Sequence, residues 1–131
     1  MIIWLEKNSK LSWAITIIIS IIIFYISSLT FESTPSGGFG INTILYHILA
    51  FFFLSLFLSI SIIKGKNKAL IFLAANIAII YAFSDEIHQL FVPGRNSSLL
   101  DVLFDSIGIL LASMLYIISI EYRKRKKFNF S

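Results

Sequence analysis

The sequence contains no cysteine. That absence excludes disulfides, thiolate metal sites and thiol nucleophiles together, and it leaves the redox compartment undetermined. Proline occurs twice and glycine six times, so the breaks between regular elements are few and each stands out. Charge is scarce too: 14% of residues are charged against 57% hydrophobic, with a mean hydropathy of +0.87. A soluble domain carries about 25% charged residues, so a water-soluble core is excluded. The 131 residues leave room for one domain, nearly all of it consumed by membrane-spanning segments of about 20 residues each.

Four apolar stretches are present, from about Leu11 to Leu29, Asn42 to Ile63, Ala69 to Phe91 and Leu99 to Ile120. Each is long enough to cross a bilayer as a helix at about 1.5 Å per residue. The breaks carry turn chemistry: a Gly/Ser/Pro loop from Thr30 to Gly40, the run Lys64-Gly65-Lys66-Asn67-Lys68, and Pro93-Gly94. The first stretch is too long for a signal-peptide core and lacks a small-x-small cleavage site, so it reads as a retained helix. The expected fold is an all-α integral membrane protein, a four-transmembrane-helix bundle. Residues 1–10 form a cytoplasmic N-terminal segment, 11–120 the membrane domain and 121–131 a basic cytoplasmic tail.

The net charge of +4 is informative through its placement. Lys7 and Lys10 precede the first stretch, Lys64, Lys66 and Lys68 lie between the second and third, and Arg123 to Lys127 follow the fourth. A four-helix topology puts these three places on one side, and the positive-inside rule makes it the cytoplasm. Arg95 alone among the eleven basic residues falls on the other side. The terminal basic run reads as an anchor on an anionic inner leaflet, not as a nucleic-acid contact.

Acidic residues have the reverse bias. Glu32, Asp85, Glu86, Asp101 and Asp105 all fall in the outer half, with both histidines. His47 would lie about 8 Å inside the second helix, Asp85 and Asp105 about 9–10 Å inside the third and fourth, and Ser27 and Ser28 just inside the first. On the third helix Ala78, Tyr81, Ala82, Asp85, His88 and Gln89 share a face; on the fourth, Asp101, Asp105, Gly108, Ala112 and Ser119 do. Small-residue faces pack membrane helices closely. A lipid-facing carboxylate near the bilayer centre would cost about 2.5–3.5 kcal/mol, so these side chains are expected to point inward into a polar pocket open to the extracytoplasmic surface.

The run Phe83-Ser84-Asp85-Glu86-Ile87-His88-Gln89-Leu90-Phe91-Val92-Pro93-Gly94-Arg95, followed by Asp101, Asp105 and Gly108, resembles the signature of the VanZ-like family. Ser27 and Ser28 at the end of the first helix, and His47 with Phe51 four residues on, are similar to that family's other marked positions. The resemblance spans roughly residues 15 to 118. It implies a multi-pass membrane protein associated with reduced susceptibility to the lipoglycopeptide teicoplanin, and no settled molecular activity.

The chemistry of individual residues leaves alternatives open. Asp85 and His88, three apart, are read either as an oriented general base or as a charge-compensated pair, with Glu86 turned about 100° away toward another neighbour. His47 is a hydrogen-bonded packing residue or a partner of Asp85 and Asp105. Ser98-x-x-Asp101 resembles a capping box, which makes Asp105, one turn deeper, the better functional candidate. Arg95 balances the nearby acids or clamps an anionic headgroup. Asn76 is expected to bond to a neighbouring helix, and the 13 phenylalanines to serve packing and lipid contact. His47, His88, Asp85 and Asp105 could hold a metal, but no HExxH or comparable motif is present, so no cofactor and no stoichiometric metal are expected.

The expected partners are membrane lipids, including an envelope lipid or lipid-linked wall precursor. Three roles fit: a factor that binds such a lipid, a membrane-embedded hydrolase or transferase acting on it, and a purely structural polar layer. The charge asymmetry makes a direct prediction. Because the chain has no native cysteine, single cysteines at Ser36 and at Ser131 can be probed with an impermeant thiol reagent on intact cells. Ser36→Cys should be labelled from outside and Ser131→Cys only after lysis; the reverse pattern would invert the topology.

Overall fold

The computed structural model of the chain describes residues 1–30, 40–95 and 97–129. Those residues form helices joined by short turns, with no strand among them. A short helix α1 (Ile2–Lys7) is followed by α2 (Ser9–Ser27), α3 (Ile41–Ile63), a single 3₁₀ turn at Lys68–Leu70, α4 (Ile71–Gln89) and α5 (Leu99–Phe128). Four spans, Ser9–Ser27, Ile41–Ile63, Lys68–Gln89 and Leu99–Lys126, are long and apolar enough to cross a membrane.

The bundle is thus the expected one, with two differences in its elements. The N-terminal segment folds into α1, broken from α2 only at Asn8. The fourth helix continues through the basic run to Phe128, because Lys and Arg are good helix formers and nothing in that run stops the helix. The end of α3 is decided by two successive left-handed residues, Lys64 (φ 51°) and Gly65 (φ 67°). Glycine takes that conformation without strain, and a Cβ at Gly65 would also lie 2.9 Å from Glu6 Oε2.

Helix α3 is central. Its span is 56% buried within the bundle against 17% for α2, which leaves most of α2 to lipid. Apolar burial gives little net drive between helices in hydrocarbon, so close packing and hydrogen bonds must hold the bundle. Ala74, Ala78 and Ala82 line the buried face of α4 at four-residue spacing with no exposed surface. At Gly108 α5 lies so close to α3 that a Cβ would run into the Ile48 carbonyl oxygen and come within 2.9 Å of the Phe52 nitrogen. Tyr81 donates to the Ser20 carbonyl at 2.6 Å, tying α4 to α2, and Thr16 and Ser61 pair at 3.3 Å between α2 and α3.

The basic end is closed by a clamp on Glu6. Arg123 reaches both carboxylate oxygens, at 2.7 and 2.8 Å, and the Tyr116 hydroxyl donates to Oε1 at 2.7 Å. The same hydroxyl accepts from the Gly65 N–H at 3.1 Å, so α1, α5 and the turn after α3 meet at one point. Burial raises the Glu6 carboxyl, but the Arg123 and Tyr116 hydrogen bonds and the Arg123 charge together hold it below its ordinary value of 4.5.

Two predictions follow from this packing. Gly108→Ala should lower the detergent melting temperature by the equivalent of roughly 1–3 kcal/mol of overpacking. Gly40→Ala, whose Cβ would meet only Thr43 Oγ1 at 3.9 Å, should be neutral. A depressed carboxyl stabilises the folded state fully above its unfolded value, and that stabilisation is lost as pH falls through the folded one. The melting difference between the parent chain and Glu6→Gln should therefore be greatest near neutrality and shrink progressively below pH 4.5. A difference independent of pH would show that the clamp does not depend on the charge of Glu6.

Candidate functional site

The opposite end of the bundle gathers its polar side chains around His47. His47 lies six residues inside α3 and Asp105 six residues inside α5, each about 9 Å from its helix start. The close approach at Gly108, one turn beyond Asp105, brings these two side chains together. His47 Nδ1 lies 2.9 Å from Asp105 Oδ1, with Asp105 wholly buried and His47 4% exposed. An ionised carboxylate can only accept, so Nδ1–H is the donor of this hydrogen bond. Nε2 then faces Asp101, whose Oδ1 lies 3.9 Å away.

Helix α4 supplies the third side. Glu86 is buried, and single ligand atoms from His47, Glu86 and Asp105 lie within 4.8 Å of one another. Glu86 Oε2 accepts the Ser98 N–H at 2.8 Å, while Gln89 Nε2 donates to Glu86 Oε1 at 3.3 Å and to Asp85 Oδ2 at 3.0 Å. Burying carboxylates demands such partners, and not every oxygen has one. Asp85 Oδ1, Asp101 Oδ1, Asp105 Oδ2, Ser27 Oγ and Tyr46 Oη are buried without a hydrogen-bond partner among the described residues.

The structure rearranges several sequence expectations. Asp85 and His88 do not pair, because their side chains diverge despite the three-residue spacing. Asp85 is taken by Gln89, whereas His88 stacks on Phe24 of α2 (ring centroids 4.5 Å apart) and places Nε2 2.9 Å from Ser28 Oγ. Ser28 already donates to the Phe24 carbonyl at 2.7 Å, so the hydrogen-bond network puts the imidazole proton on Nε2.

Asp101 does not complete a capping box. Ser98 caps α5 by accepting from the Leu100 N–H at 3.2 Å, but the Ser98 N–H goes to Glu86. A capping box uses the longer Glu or Gln at this position, and Asp101 turns instead toward His47. Asn76 bonds to the Phe72 carbonyl of its own exposed helix face, not to a neighbour. Arg95 is half-buried and donates to the Ile26 carbonyl at 3.5 Å, joining the α4–α5 turn to α2. Glu32 and the Ser36–Gly37 loop lie outside the described residues. The clamp on Glu6 escaped the sequence reading, since a lone N-terminal glutamate carries no motif.

The arrangement therefore places one imidazole among Glu86, Asp101 and Asp105, with Asp85 behind Gln89 and His88 set apart against α2. Such a centre is suited to moving a proton or holding a positive charge. Neither the curated proteins nor the solved structures contain a match to the chain. A family model does match, over residues 3–120, nearly the whole bundle, and the chain belongs to the VanZ/LLP1 family.

Proposed function

We propose that the chain sits in a bacterial plasma membrane with both termini in the cytoplasm, and that its outer polar layer acts on the headgroup of an envelope lipid. His47 is the acid–base group and Asp105 the residue that orients it. The observation that carries this reading is the buried contact of 2.9 Å between His47 Nδ1 and Asp105 Oδ1. A carboxylate that fixes the tautomer of an imidazole leaves the second nitrogen available for proton transfer. Positioned acid–base groups contribute about 10²–10⁴-fold to rate, so a hydrolase or transferase reaction is within reach of this pair. The family's association with teicoplanin susceptibility directs the choice of substrate to membrane lipids and lipid-linked wall precursors.

Binding without turnover is the second reading, and Arg95 supports it. Its guanidinium, in the turn beside the acidic layer, is suited to a phosphate or carboxylate through parallel hydrogen bonds. One experiment separates the two. The full chain is reconstituted in vesicles of bacterial polar lipid with added lipid-linked precursor, and the lipids are followed by mass spectrometry. A new product is expected from the parent chain, reduced at least about 100-fold in His47→Ala and Asp105→Asn and retained in His88→Ala. A retained lipid without product, lost in Arg95→Gln, would replace the enzyme by the binding factor. Product formation undiminished in His47→Ala would remove the acid–base assignment.

A further inference from the structure

The carboxylates around His47 have hydrogen-bonding capacity that the bundle does not meet. Asp105 is completely buried, and its Oδ2 has no hydrogen-bond partner among the described residues. Asp101, 5% exposed, directs an equally partnerless Oδ1 at His47 Nε2 from 3.9 Å, too far for a hydrogen bond. His47, Glu86 and Asp105 each offer an atom within 4.8 Å of the other two, and all three residues are buried. Three carboxylates, Glu86, Asp101 and Asp105, surround one imidazole, with a fourth, Asp85, behind Gln89. Such an excess of negative charge in a membrane bundle favours uptake of protons or of a cation.

The geometry points to a divalent-cation site formed by His47, Glu86 and Asp105. It rests on the reading of this cluster as the protein's chemical centre; with the cation bound, His47 is a ligand and no longer the acid–base group. The 2.9 Å separation of His47 Nδ1 and Asp105 Oδ1 is close to an edge between two ligands of one cation held at about 2.0–2.2 Å from each. The cation takes the place of the Nδ1 proton, which moves to Nε2, and Glu86 supplies the third ligand. Nε2–H then points at Asp101 Oδ1, which has to close from 3.9 Å to fix the ligating imidazole. One nitrogen with carboxylate oxygens suits Mn²⁺ or Zn²⁺, and offers too few oxygens for Ca²⁺. The sequence alone contained no metal motif because the three ligands come from three helices.

The test uses the purified full chain, stripped with EDTA and titrated with Mn²⁺. Equilibrium dialysis gives the stoichiometry and pulsed EPR the nitrogen coupling of a bound imidazole. One Mn²⁺ per chain with that coupling is expected, weakened at least about 100-fold in His47→Ala and Glu86→Gln and unchanged in His88→Ala. If His47→Ala does not fold, Glu86→Gln, close in shape to the parent side chain, decides. No stoichiometric binding, binding unchanged in Glu86→Gln, or binding lost in His88→Ala would overturn the site. Mn²⁺ binding without lipid turnover would leave the cation site standing and remove the lipid chemistry. Lipid turnover by the stripped chain with no Mn²⁺ bound would do the reverse.

Discussion

The structure depends on one constraint: a polar side chain in the hydrocarbon region must find its partner inside the bundle. His47 and Asp105 meet that constraint for each other across the α3–α5 interface. Their contact requires the two backbones to approach closely, and Gly108 permits it by presenting no Cβ to Ile48 and Phe52. A larger residue there would widen the interface where it sets the reach of the two side chains. Packing and chemistry at this end of the molecule are therefore one property, not two.

The two ends of the bundle solve the same problem differently. At the basic end Glu6 is fully engaged: Arg123 and Tyr116 cover its oxygens, and Gly65 closes the network through the tyrosine hydroxyl. At the acidic end several carboxylates are gathered with less compensation, and oxygens of Asp85, Asp101 and Asp105 have no hydrogen-bond partner among the described residues. A layer serving only to hold helices together could use serine or glutamine, which cost less to insert and satisfy one another.

Other residues position the cluster without entering it. Gln89 bridges Asp85 and Glu86, and Glu86 in turn holds the first N–H before α5, so the start of α5 is coupled to the end of α4. Tyr81 and His88 face the other way, toward Ser20, Phe24 and Ser28, and join α4 to the lipid-exposed α2. The two histidines are therefore unequal: one is buried among acids, the other stacked and half-buried against a neighbouring helix.

The four spans, the sidedness of charge and the presence of a polar layer were legible in the sequence, because hydropathy over some twenty residues and the exclusion of charge from lipid are local properties. Helical period placed Ala78, Ala82, Asp85 and Gln89 on the inward face of α4, but not Glu86, which is buried as well. The partners within that layer were not legible. Spacing on α4 suggested Asp85 with His88, and Ser98-x-x-Asp101 suggested a cap; tertiary packing instead assigned Asp85 to Gln89, His88 to Ser28 and Asp101 to the vicinity of His47. The clamp joining Glu6 to Arg123 was equally invisible, since it connects residues 117 positions apart. Periodicity determines which face of a helix avoids lipid, but rotation and separation between helices determine which polar atoms on those faces meet, and these are set by close contacts such as Gly108 on Ile48.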